Sequence, residues 1–258
     1  MLEVHPPHAP TRSWKDFLVH IAAIAVGLLL AIGLEQTVEA VHHSRQRAGI
    51  EAQMRAVLAS DLDLNARNFA ALRGLRAYLV ELKAAIVTRL RGTGRAPQPP
   101  VRDPRTAMFL RFPSLAPYEV AQKNGTVALL PPDRIRLYNR LAFALDLAAT
   151  ERDRWFAGLD ALVGFQERFV DTRGSMQMNS VATAPDVDTL VPADLAEYLA
   201  HVASLIQQTN LLYARLDLVD AEIRAILDGV RTEDALLERM IRSRPRGFGL
   251  TADEPAGP

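Results

Sequence analysis

Between Phe17 and Leu34 the chain reads FLVHIAAIAVGLLLAIGL, eighteen residues without a formal charge. Eleven of them are Phe, Leu, Ile or Val, together favouring insertion near the centre of a membrane helix by roughly 3 to 6 kcal/mol. As a helix the run covers about 27 Å, close to the hydrocarbon thickness of a bilayer. Trp14 stands at its entry, where an indole suits the membrane interface, and Glu35 closes it. This stretch dictates more about the chain than any other feature: a segment of this composition must be covered by lipid or by protein. We expect a transmembrane helix over residues 16–38, preceded by a short tail at 1–15.

A cleaved signal peptide is the competing reading, because Ala31-Ile32-Gly33 imitates a small-x-small cleavage site. The apolar run is longer than such peptides carry, and no helix breaker follows it, so an uncleaved anchor is favoured. Arg12 and Lys15 precede the span, while Arg45 and Arg47 lie two to three turns beyond it. The expected orientation keeps the N-terminus in the cytoplasm and exports the remainder. All but three of the 30 cations are Arg, and Ala and Leu are abundant, a bias associated with GC-rich bacterial genomes. The expected location is then the bacterial inner membrane, single-pass, with the helical domain in the periplasm.

Ala23, Gly27 and Ala31 are spaced by four and form a ridge of small residues within the span. Such ridges let transmembrane helices approach closely. They are the candidate packing face for a homo-oligomer. His20, one turn into the span, reads as a neutral imidazole hydrogen-bonded near the headgroups.

From Glu35 to Leu90 there is no proline. Leu58, Leu62, Phe69, Leu72, Leu79, Leu82 and Ile86 recur at a near-heptad, coiled-coil-like spacing, with Asn65 inside the stripe. The span therefore continues into a long helix that stops near Arg91 and Gly92. Residues 92–113 form a proline-rich loop. Ser114 is placed to cap a short helix running to about Lys123. Asn124-Gly125 supplies a turn, and Thr126–Leu130 reads as an apolar plug. Pro131-Pro132-Asp133 opens a helix extending to about Thr172, and residues 173–191 form a second loop. Pro192-Ala193-Asp194 opens the last long helix, with Gly229 near its end. From residue 243 to 258 a disordered tail is expected. The fold class is thus all-α: a transmembrane helix continuing into an elongated antiparallel bundle of about three long helices, residues 39–242, with a short capping segment.

Composition excludes several functions. There is no cysteine, so disulfide frameworks and thiolate-held metals are impossible. With 30 basic and 30 acidic groups there is no net charge to draw the chain to nucleic acid. His42 and His43 are adjacent and point about 100° apart on a helix, unlike chelating i, i+4 pairs. Phosphate-binding glycine loops, nucleophile elbows and HExxH are all missing. No catalytic, cofactor-binding or metal residues are assigned, no cofactor is expected, and the chain is not expected to be an enzyme. Tyr118, Glu119, Asn124 and Gly125 are the candidate interaction or capping segment, because polar function concentrates in such connections.

Trp14-Lys15-x-Phe17, the glycine-bearing span, Glu35 and Glu39, then Tyr118-Glu119, Asn124-Gly125 and Val127-Ala128-Leu129-Leu130 occur in an order that resembles a group of uncharacterised proteobacterial single-span membrane proteins. The resemblance covers roughly residues 13–172, and Leu129-Leu130-Pro131 departs slightly from the group's Leu-Met-Pro form. It implies the topology and carries no known activity. The expected role is a membrane-anchored helical interaction or scaffold protein, with the lipid bilayer and an unknown protein as partners. The alternative is a periplasmic sensory bundle that binds a ligand and works through a partner.

Overall fold

The computed structural model describes residues 14–92, 110–169 and 185–242. Residues 1–13 of the expected N-terminal tail, most of both loops and the C-terminal tail lie outside these residues, whereas Trp14 and Lys15, expected in the tail, already belong to a helix. Five α-helices account for nearly all that is described: α1 (Trp14–Arg91), α2 (Ala116–Lys123), α3 (Pro132–Glu167), α4 (Pro192–Leu227) and α5 (Glu233–Arg242). A single 3-10 turn, Thr126–Leu129, stands between α2 and α3. No strand occurs among the described residues.

The chain divides into two units, residues 1–51 and 52–258. In the first, every described side chain from Trp14 to Arg45 is exposed, including the whole apolar run. Within this stretch His20 Nδ1 lies 3.0 Å from the Asp16 carbonyl, a bond within one helical turn. A Cβ on Gly27 would touch nothing within 4 Å.

In the second unit the rest of α1 buries one stripe: Met54, Leu58, Asp61, Asn65, Asn68, Leu72, Leu75, Leu79, Leu82 and Ile86. The steps alternate between 4 and 3 throughout. This corrects the sequence-derived stripe in one respect. Leu62 and Phe69 are only half-buried, and the positions that face inward beside them are the polar Asp61 and Asn68. An apolar count skips polar residues, so it set the middle of the stripe one residue off. The helix ends where expected: Gly92 adopts φ +65°, and its N–H donates to the Arg89 carbonyl at 3.1 Å. Arg89 and Arg91 in the last turn complement the negative end of the helix dipole.

Proline sets the start of α3 at Pro132 and of α4 at Pro192; each lacks an N–H that the first turn would leave unpaired anyway. The end of α3 falls at Glu167, short of the expected Thr172, and Phe169 is exposed. α3 and α4 are antiparallel. Trp155 Nε1 donates to Thr209 Oγ1 at 3.0 Å, Gln166 Nε2 to the Tyr198 hydroxyl at 2.9 Å, and Arg140 Nε to Glu222 at 3.2 Å. Gly158 leaves room for the Gln208 side chain to lie against α3. α1 also runs antiparallel to α4: the rings of Phe69 and Tyr213 are 4.7 Å apart, Arg76 Nε donates to Asn210 at 2.9 Å, and Arg89 meets Asp188 just before α4. α5 returns onto α3 and α4 and buries Leu236. The core is thus a seam between three long helices, filled by Leu with Trp155, Tyr78, Tyr138 and Tyr198 as its largest members. Burial of such side chains, each worth about 1.5 to 3 kcal/mol, is the driving force.

Candidate functional site

The segment from Leu110 to Pro131 carries most of the irregular chemistry of the bundle. Pro113 and Pro117 forbid a continuous helix here, so residues 111–115 cross the bundle as an extended strap before α2 begins. The strap is fastened to α1 through its backbone. Asn68 Nδ2 donates to the Arg111 carbonyl at 2.6 Å, and the Ser114 N–H donates to Asp61 Oδ2 at 3.4 Å. Ser114 therefore does not cap α2: Leu115 occupies that position, with no capping side chain, and Pro117 sits in the first turn. On the other side the Arg152 guanidinium of α3 lies 5.1 Å from the centre of the Phe112 ring, a cation–π contact.

Behind the strap lies a polar tier on α1. Asp61 is 8% exposed, Asn65 fully buried and Asn68 2% exposed. Burial pushes the Asp61 carboxyl up to about 6, and the Ser114 N–H offsets this only in part. Among the described residues Asn65 finds no hydrogen-bond partner for either its Oδ1 or its Nδ2. A buried amide in that state costs on the order of 1 to 3 kcal/mol. Sequence reasoning noticed Asn65 in the stripe but did not place Asp61 and Asn68 there. Their signal was available in the 4, 3 spacing from Asp61 to Asn65 to Asn68, which matches the stripe's own period.

The four residues singled out in the capping segment do not converge on one point. Tyr118 is buried, with its ring 5.3 Å from Tyr138. Its hydroxyl donates to Asn139 Oδ1 at 2.9 Å and lies 3.3 Å from the Ile135 carbonyl. Burial pushes that hydroxyl above the usual tyrosine range. Glu119 is exposed beside it on α2. Asn124 Oδ1 accepts from the N–H and the hydroxyl of Thr126, at 3.0 and 2.7 Å, closing an Asx turn. Gly125 takes φ +79° there, a conformation that an L side chain would strain. Between this segment and α3 an open groove of about 180 Å³ is lined by Phe112, Leu115, Tyr118, Glu119, Asp146 and Arg152 among others. Of the four residues, Tyr118 and Glu119 reach this groove, whereas Asn124 and Gly125 form the turn.

Other candidate groups are local pairs. His43 lies 3.8 Å from Glu39, and His42 lies 2.9 Å from Gln46. Among the described residues no three His, Asp or Glu side chains gather as metal ligands. At the far end of α3, Arg168 holds Glu197 at 2.8 Å and keeps its carboxyl below the usual range, with His201 adding to the effect. Ala23, Gly27 and Ala31 all lie on the exposed part of α1.

The chain matches no family model, no curated protein and no solved structure. Among the described residues one helix, α1, is long and apolar enough to cross a membrane.

Proposed function

We propose that the protein is a membrane-anchored helical scaffold: α1 spans a bilayer near its start and then supplies one helix of a bundle that presents its faces to a protein partner. The carrying observation is an eighteen-residue window in α1 of mean hydropathy 2.6, none of it buried against protein. Lipid is the cover that such a surface fits. In a bacterium the favoured placement is the inner membrane, with the tail inside and the bundle in the periplasm. The motif order that resembles that of single-span proteobacterial membrane proteins fits the same topology.

Two experiments test this. Sodium carbonate washing of membranes leaves the chain in the pellet if α1 is an anchor; release into the supernatant overturns the reading. An alkaline phosphatase fused to the C-terminus is active if the bundle is exported, and its inactivity in an expressed fusion reverses the orientation.

Self-association through Ala23, Gly27 and Ala31 belongs to the same proposal. Because a Cβ at Gly27 meets open space, Gly27→Leu leaves the single helix undisturbed and blocks only a close approach by another helix. A membrane two-hybrid signal is expected to fall at least severalfold in this variant. An unchanged signal removes the ridge from consideration.

The sensory alternative draws on the unpartnered Asn65 amide and on the open grooves of the bundle, since stability alone would favour an apolar residue at position 65. Thermal-shift screening of the full chain against metabolite pools separates the two readings, because a pure scaffold gives no shift.

A further inference from the structure

A second groove, of about 230 Å³, lies between α3 and α4. Phe143 and Leu147 line it from α3, Arg215 and Leu218 from α4, and Met240 from α5. Phe143 is 64% exposed in the middle of a long helix. A lone exposed aromatic needs no explanation, but this one stands over a concave apolar wall. Arg140 marks one end, held by Glu222 at 3.2 Å and by Glu233 at 3.5 Å. Arg215 differs: among the described residues it has neither an ion-pair partner nor a hydrogen bond, whereas Arg152, Arg154, Arg168 and Arg224 each pair with a carboxylate. Glu222, the one acid lining the groove, is 3% exposed and engaged by Arg140, and burial raises its carboxyl. The groove therefore offers an apolar floor with one guanidinium to spare.

We propose that this groove binds a small amphiphilic monoanion, an aryl- or short alkyl-carboxylate, whose apolar body lies on Phe143, Leu147 and Leu218 and whose carboxylate pairs with Arg215. Charge complementarity selects an anion, since Arg140 is already engaged by Glu222 and Glu233 while Arg215 is left over. Size selects a small one: the volume is below that of pockets for drug-sized ligands, and a two-chain lipid or a peptide helix would overfill it. This site goes beyond the scaffold reading and does not depend on α1 crossing a membrane, so failure of one leaves the other standing.

The test uses the full chain in phosphatidylcholine nanodiscs, with para-fluorophenylpropionate as the probe, followed by fluorine NMR against empty nanodiscs. A ligand of about twelve non-hydrogen atoms in an open groove is expected to bind with a dissociation constant on the order of 1 mM. Arg215→Gln weakens it about tenfold or more, as loss of a charge-assisted hydrogen bond does, while Arg215→Lys retains most of the affinity. Phe143→Ser weakens it severalfold, and Arg154→Gln, outside the groove, has no effect. The matching alcohol binds several times less well. Circular dichroism confirms that each surface variant keeps its helix content. The proposal is overturned by a signal no greater than that of empty nanodiscs, by equal binding of the alcohol, or by undiminished binding in a folded Arg215→Gln chain.

Discussion

Trp155→Ala is expected to lower the stability of the bundle by about 4 kcal/mol, the range for truncating a fully buried indole. Trp155 is 0% exposed and sits in the second half of α3 in the seam with α4. The substitution removes the largest side chain of the core and leaves a cavity that three long helices cannot close without bending. It also removes the donor to Thr209 Oγ1, although Thr209 keeps its own bond to the Leu205 carbonyl at 2.7 Å. For a unit of about 200 residues the melting temperature should fall by roughly 8 to 16 °C, read by circular dichroism of the full chain in detergent micelles. Trp155→Phe retains most of the volume and is expected to lose less than half as much. A fall of only 1 to 2 °C in the alanine variant would mean that the seam is not packed as described.

Asp61→Asn is expected to stabilise the bundle by about 3 kcal/mol at pH 8 and to change little at pH 4. The sign follows from burial. The folded chain pushes this carboxyl up to about 6, above its unfolded value of 3.8, so folding favours the protonated form. The stability associated with that proton is fully present below pH 3.8 and is lost as the pH rises through 6. Each pH unit of elevation corresponds to about 1.4 kcal/mol, which gives about 3 kcal/mol once Asp61 is fully ionised. Asparagine never ionises, yet its Oδ1 still accepts from the Ser114 N–H. Urea unfolding at the two pH values measures the effect, with a midpoint shift of about 1 to 2 M expected at pH 8 only. An equal shift at both pH values would show that packing, and not charge, governs position 61.

Much of the helical plan was legible in the chain because its punctuation is made by residues with one conformational option. Pro132 and Pro192 begin helices, and Gly92 ends one. The end of α3 was harder to place, since no proline or glycine follows Glu167 until Gly174. The polar tier was only partly legible. Asn65 shows up as an interruption of an apolar stripe, but Asp61 looks like an ordinary surface acid until its partner is known, and that partner is a backbone N–H fifty-three residues away. Tyr118 stood out as part of an aromatic-acid motif. Its side chain is held in the core by Asn139 and Tyr138, contacts that no local pattern reveals. The spare guanidinium of Arg215 is equally invisible in one dimension, since it is defined by what other helices fail to place beside it.

Asp61 and Asn68 grip the strap by the peptide groups of Ser114 and Arg111, not by their side chains. Side chains at 111 and 114 are both exposed and take no part in that grip. Evolutionary drift should therefore run freely at these two positions while the path of the strap is preserved, and a graft of a different surface sequence there ought to be accepted without re-engineering the helix beneath it.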